Sequence, residues 1–425
     1  MTDDAWWDIA LDPGARASAD AARLRDADGS PRVNGPAEAD AFGYGGYLRL
    51  STLLSAQRPS SSVPDERVFI VVHQLFELAF KQMAFDLSVV SGTLASLVSS
   101  SGALDPRALH PLPGSAASRE GPDPLWRPAL TAAGRLRHTA REVLPPIMAL
   151  LGRGGDDDVL FSTLEYALFR DALAPASGFQ TAQLRLIQRA LAKDPVLRLR
   201  VFPSAAFRRD AAPPPAACPV APVGLGDALI LGDDHGRAFP QHPQAALAAS
   251  LDAHAHGVLA ALAPEAEGLA APPRVRTIHG EDIERAVARV AATYGDAPDA
   301  AEAVGTFEAD LRAAADRDNT RRDALGDARR GAQALLAHAP RSCLAFVLDR
   351  VAATDAALHA PDGGSFLTAH RKAVRRHVPD GDPGTGGGGM PYLVTSQRYL
   401  LPLFPALVAY GDLRADGADE RGDQW

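Results

Sequence analysis

Residues 65–87, DERVFIVVHQLFELAFKQMAFDL, decide the fold class: the run is mostly apolar, and no proline or glycine appears until Gly92. It is too long for a strand, so it predicts a buried helix over about 67–99, started near Asp65 behind Pro64. Phe69, His73 and Glu77 recur at intervals of four and share a helix face. A single imidazole on a hydrophobic face has two readings. It is either a core histidine hydrogen-bonded to a carbonyl, or the one hydrogen-bonding group of an apolar cofactor cavity.

Working outward, residues 1–40 are polar, rich in Ala and Asp, and read as an N-terminal arm. Residues 100–128 read as a loop, and a helix is expected over 128–151. Two more follow, over 159–173 and 180–193, the second with Leu184, Ile187 and Leu191 on one face. A proline-rich linker covers 203–225, and the alanine-rich stretch to 355 predicts several helices without clear bounds. After Gly364 comes a helix, FLTAHRKAVRRHV, then the loop GDPGTGGGGMP, then a helical stretch over 394–410. No stretch alternates convincingly as a strand does. The expected fold is all-α, with one helical domain over 41–425 that carries insertions at about 100–128 and 203–300.

The net charge of −9, without a basic stripe, argues against a nucleic-acid surface. Cys218 and Cys343 are far apart and lack the spacing of a zinc site or a disulfide framework. No basic region followed by an apolar run opens the chain, and no apolar run is expected to span a bilayer. A cytoplasmic protein with no membrane partner is the expectation.

Besides His73, two places can carry chemistry. His370 lies on the basic helix after Gly364; it reads either as a surface or capping histidine, or as a neutral axial ligand to iron, with His377 two turns along as its rival. Tyr166 and Arg170 are four apart in EYALFRD. Arg170 either pairs with a surface acid or, with Tyr166, grips a carboxylate, the guanidinium by two parallel hydrogen bonds and the phenol by a third. The glycine-rich loop at 384–389 follows no strand and precedes no phosphate-binding lysine, so it is not a nucleotide-binding turn.

Together, the segments Tyr44 to Leu87, YALFRDALAPASGFQ, HRKAVRR and GTGGGGMPYL resemble, in order and spacing, the tryptophan 2,3-dioxygenase family of heme-dependent aromatic oxygenases. The resemblance implies a helical heme-binding domain with heme b, working as ferrous iron, bound through His370. It implies that His73 is the distal histidine meeting the indole N–H, with Phe69 lining the indole pocket. By the same resemblance Tyr166 and Arg170 hold the substrate carboxylate, and Thr385 contacts the ammonium or carboxylate within a loop whose Gly384 and Gly386 border the cofactor. Tyr44, Tyr47 and Leu48 resemble residues that complete the pocket from a neighbouring subunit, which implies an oligomer, usually a tetramer. The chain departs from the family pattern at Ala79, at Phe366 and Leu367, and in the 384–390 loop, where glycines replace two serines.

The implied reaction is addition of dioxygen across the indole C2=C3 bond of L-tryptophan to give N-formylkynurenine, in tryptophan catabolism. Ala79 and the altered loop leave open a related enzyme acting on a substituted tryptophan or another aromatic amino acid, with one oxygen inserted. A heme-binding sensor without turnover is the third reading.

Overall fold

The computed structural model describes residues 48, 50–112, 123–154, 158–170, 182–191, 247–248, 250–270, 279–294, scattered positions from 301 to 320, 325–359, 365–378 and 410. The expected arm, the 203–225 linker, the 384–389 loop and most of the last helical stretch lie outside the described residues. By its contacts the chain divides into Met1–Val71 and Val72–Trp425.

In the first unit, helix α1 (Leu50–Ser55) precedes the start of α2 (Pro64–Ala95), which continues into the second unit. Pro64 opens α2 because a first-turn residue needs no N–H, and Asp65 and Glu66 complement the helix dipole. Glu66 is buried and accepts from Ser60 N and Oγ at 2.7 and 2.6 Å, and from Ser61 N and Oγ at 2.7 and 2.6 Å. Burial raises the pKa of this carboxyl, but the Ser60 and Ser61 hydrogen bonds outweigh it and hold the group at about 2.

Within the second unit α2 buries Val72, Phe76, Phe80, Met83, Leu87, Val90 and Leu94, a stripe at intervals of three and four. Its other face leaves Leu75 and Leu78 exposed. Contrary to the expectation from sequence, α2 is long and apolar enough by length and composition to cross a membrane, a test that a buried core helix also passes. Two side-chain links tie α2 into the unit. Buried Asp86 accepts from Arg135 at 2.5 and 3.2 Å, and Ser91 Oγ donates to Leu247 O at 2.5 Å while His254 Nδ1 lies 2.9 Å from it.

The expected loop over 100–128 contains a 3-10 turn, Pro106–Leu109, whose Arg107 carbonyl accepts from Trp126 Nε1 at 2.7 Å. The helix expected over 128–151 is three pieces: α3 (Trp126–His138), a π-turn (Thr139–Val143) and α4 (Leu144–Ala149). Pro145 and Pro146 have no N–H to donate to the carbonyls four residues back, and the turn before them widens so that Leu144 N–H reaches Thr139 O.

A two-residue antiparallel pair, β1 (Arg153–Gly154) with β2 (Asp158–Val159), leads into α5 (Thr163–Phe169), shorter than the expected 159–173. Helix α6 (Ala182–Ala190) buries Leu184 and Ile187 as its pattern predicted.

The alanine-rich region forms α7 (Leu251–Ala261), a 3-10 turn (Ala263–Ala266), α8 (Gly280–Tyr294), α9 (Gly326–His338) and α10 (Cys343–His359). Helix α7 packs on α9, and α3 on α10. Where α7 and α9 cross, a Cβ on Gly331 would overlap the carbonyl oxygen of Leu259, so only glycine lets the two backbones touch. Helix α11 (Phe366–His377) is capped by Ser365 Oγ, which accepts from Thr368 N at 3.3 Å. It packs against α4, α5 and α10. The described residues are mainly helical, so the fold is all-α as the sequence predicts.

Candidate active site

The site is built where α2 meets α11. Phe76 and Phe80, one turn apart on α2, stack with ring centres 6.2 Å apart, and both meet Phe366 edge-on, at 5.3 and 5.6 Å. Phe366 opens α11, and its ring lies 6.4 Å from that of His370 one turn later. At the other end of this aromatic run the His73 ring meets Phe76 at 6.2 Å, edge to face. His73 and His370, far apart in sequence, are thus joined by a wall of phenylalanine.

Burial pushes the His370 imidazole down to a pKa of about 4, and the nearby His73 adds to the effect. His370 is therefore neutral at physiological pH. The residue is half-buried, and its Nδ1 is fully enclosed. His73 is likewise half-buried.

His377, the rival to His370, has both ring nitrogens engaged: Nε2 lies 2.9 Å from Leu151 O and Nδ1 3.0 Å from Thr163 Oγ1. His370 is the imidazole of α11 that lies beside Phe366. Among the described residues no group of three or more His, Cys, Asp or Glu side chains is arranged to hold a metal ion. One neutral imidazole beside apolar rings suits an iron already held in a porphyrin, which asks the protein for a single axial nitrogen and a dry pocket.

Helix α5 starts at Ser162, whose Oγ accepts from Glu165 N at 3.3 Å, and ends at Arg170, whose N–H meets Tyr166 O. Tyr166 is buried in an aromatic group, with ring centres 6.0 Å from Phe161, 5.5 Å from Phe169 and 6.0 Å from His377. Arg170 is half-buried. Because α5 packs against α11, the Tyr166–Arg170 helix and the His370 helix are neighbours. Phe69 is half-buried and Leu48 is 41% exposed, both in the first unit. Tyr44, Tyr47, Thr385, Gly384 and Gly386 lie outside the described residues.

Sequence reasoning missed Phe76, Phe80 and Phe366 as walls of the site. Their signal was present: Phe76 and Phe80 are one turn apart beyond His73, and Phe366 stands four residues before His370.

Comparison with known proteins points to one family. Residues 32–101 match the family model described as tryptophan 2,3-dioxygenase, a span that includes Phe69 and His73. The tryptophan 2,3-dioxygenase of Anaeromyxobacter sp. (strain K) is 30% identical over 167 residues, covering 39% of this chain and 50% of that protein. That of Bdellovibrio bacteriovorus is 36% identical over 155 residues, 35% of this chain and 34% of the relative. The Aedes aegypti enzyme of the same name is 32% identical over 153 residues, 35% of this chain and 31% of its own. The chain thus spans half or less of the length of these curated relatives. On these matches the chain is similar, over part of its length, to the tryptophan 2,3-dioxygenases.

Proposed function

We propose that this protein is a heme-dependent oxygenase that inserts both atoms of dioxygen across the indole C2=C3 bond of L-tryptophan, giving N-formylkynurenine. The observation that carries the reading is the pairing of His73 with a neutral His370 through Phe76 and Phe366, on helices whose motifs resemble the family. His370 would hold heme b through one ring nitrogen. Heme, when bound, supplies the ferrous iron at which dioxygen is activated toward an electron-rich ring.

The chain's own groups bind and orient. Arg170 grips the substrate carboxylate through two parallel hydrogen bonds, and the Tyr166 hydroxyl donates a third. Thr385 completes the amino-acid end. His73 accepts the indole N–H at a ring nitrogen, which turns the C2=C3 edge toward the reacting face. Phe76, Phe80 and Phe366 keep water out, so these polar contacts act in a low dielectric. Both oxygen atoms end in the product, so no external reductant is consumed per turnover.

The test is mass spectrometry of products from reduced, heme-loaded protein given L-tryptophan and isotopically labelled dioxygen. Two labelled oxygens in a ring-opened product are expected. One labelled oxygen, or turnover of a substituted tryptophan alone, favours the second reading, for which small Ala79 on α2 is the motive. Arg170→Leu should weaken tryptophan binding roughly a hundredfold at unchanged heme content. Unchanged binding would remove both enzyme readings.

A further inference from the structure

We infer that His377 is a positioning residue: it clasps the short helix α5, and with it Tyr166 and Arg170, against the helix that carries His370. The inference rests on the function proposed above. His377 ends α11 and joins two other segments at once, through Nε2 to Leu151 O at 2.9 Å and Nδ1 to Thr163 Oγ1 at 3.0 Å. A carbonyl only accepts, so Nε2 carries a proton, and in the neutral ring Nδ1 accepts from the Thr163 hydroxyl. When the ring is protonated the hydroxyl turns to donate to Arg376 O, 3.3 Å away, and accepts from Nδ1 instead. The clasp holds in both charge states.

Helix α5 needs such a fastening. It has seven residues, too few to be stable by itself. Its outer face is unpacked, with Leu164 82% and Leu168 72% exposed. Thr163 is its first residue and Arg170 its end, so fixing the first turn aims the guanidinium about 10 Å away. The His377 ring also meets Phe161 edge-on at 5.1 Å and leans on Tyr166, so one side chain sets both the start of α5 and the place of the phenol.

The test compares the holoprotein with His377→Phe, His377→Gln and Thr163→Val. A cavity of about 510 Å³ beside the clasp gives phenylalanine room. Hydrogen exchange of the α5 amides, the calorimetric Kd for L-tryptophan, KM, kcat and heme content are measured. In His377→Phe and Thr163→Val, α5 exchange should accelerate and Kd and KM rise, each about tenfold, while heme content and kcat hold. His377→Gln, which keeps one donor and one acceptor, should recover part of the loss. Unchanged α5 exchange and Kd in Thr163→Val overturn the inference, even where His377→Phe fails to fold. If the wild type binds no tryptophan, the proposed function falls, and α5 exchange alone still decides whether the clasp exists.

Discussion

The crossing of α7 and α9 and the meeting of α2 with α11 are both buried, yet they are built on opposite plans. At the first, buried Leu251, Ala255 and Leu259 of α7 and Ala328, Gly331 and Ala332 of α9 belong to packed helices, and Gly331 brings one backbone onto the other at Leu259. At the second, phenylalanine rings pack at centre distances of 5.3–6.2 Å, and two histidines flank them. Small residues let backbones touch; rings join helices through their side chains. The candidate site lies at the second kind of contact.

Gly331→Val should break the first plan outright, because the added carbons have nowhere to go but into the Leu259 carbonyl. At least about 3 kcal/mol of stability should be lost, read as a drop in Tm or in the denaturant midpoint. A variant as stable as the wild type would show that the helices do not touch there. Phe366→Ala tests the second plan. Removing a ring that Phe76 and Phe80 both contact should cost about 3 kcal/mol. A small apolar gas such as xenon should then bind in the enlarged space, whereas a collapsed site would bind none.

The smallest expected effect is electrostatic. His370 titrates at about 4 when folded against an ordinary value of 6.5, so between those pH values the unfolded chain binds the extra proton. In the heme-free protein stability should therefore fall as pH drops from 6.5 to 4 and level off for this group below 4. In His370→Gln that part of the slope should vanish when unfolding is followed across the pH range. Glu66 acts in a separate window: its pKa near 2 stabilises the fold above about 4.5, and this is lost as pH falls toward 2.

The two plans were not equally legible in the sequence. Helix α2 could be read because its apolar run is long, uninterrupted and periodic, and α11 because Ser365 caps a short basic stretch between glycine-rich segments. The alanine-rich helices could not be bounded, since alanine gives no contrast between a buried and an exposed face, and nothing local to Gly331 announces Leu259. His73 and His370 were found by resemblance, whereas the phenylalanines between them required the tertiary pairing of α2 with α11. The role of His377 was invisible because one of its partners, the Leu151 carbonyl, belongs to the backbone and leaves no mark in the residue pattern.

The π-turn at Thr139–Val143 can be read as a phase correction. Leu136, Ala140, Leu144 and Met148 are all buried and recur every four residues, a period that drifts around a regular α-helix by about 40° per step. The widened turn absorbs that drift and keeps the row in step with α10 and α11, which pack along this segment. Forced into regular α winding with all its residues kept, the segment would rotate everything downstream by about 100°. Met148 would swing out of the interior, and the surface on which α11 rests would turn with it.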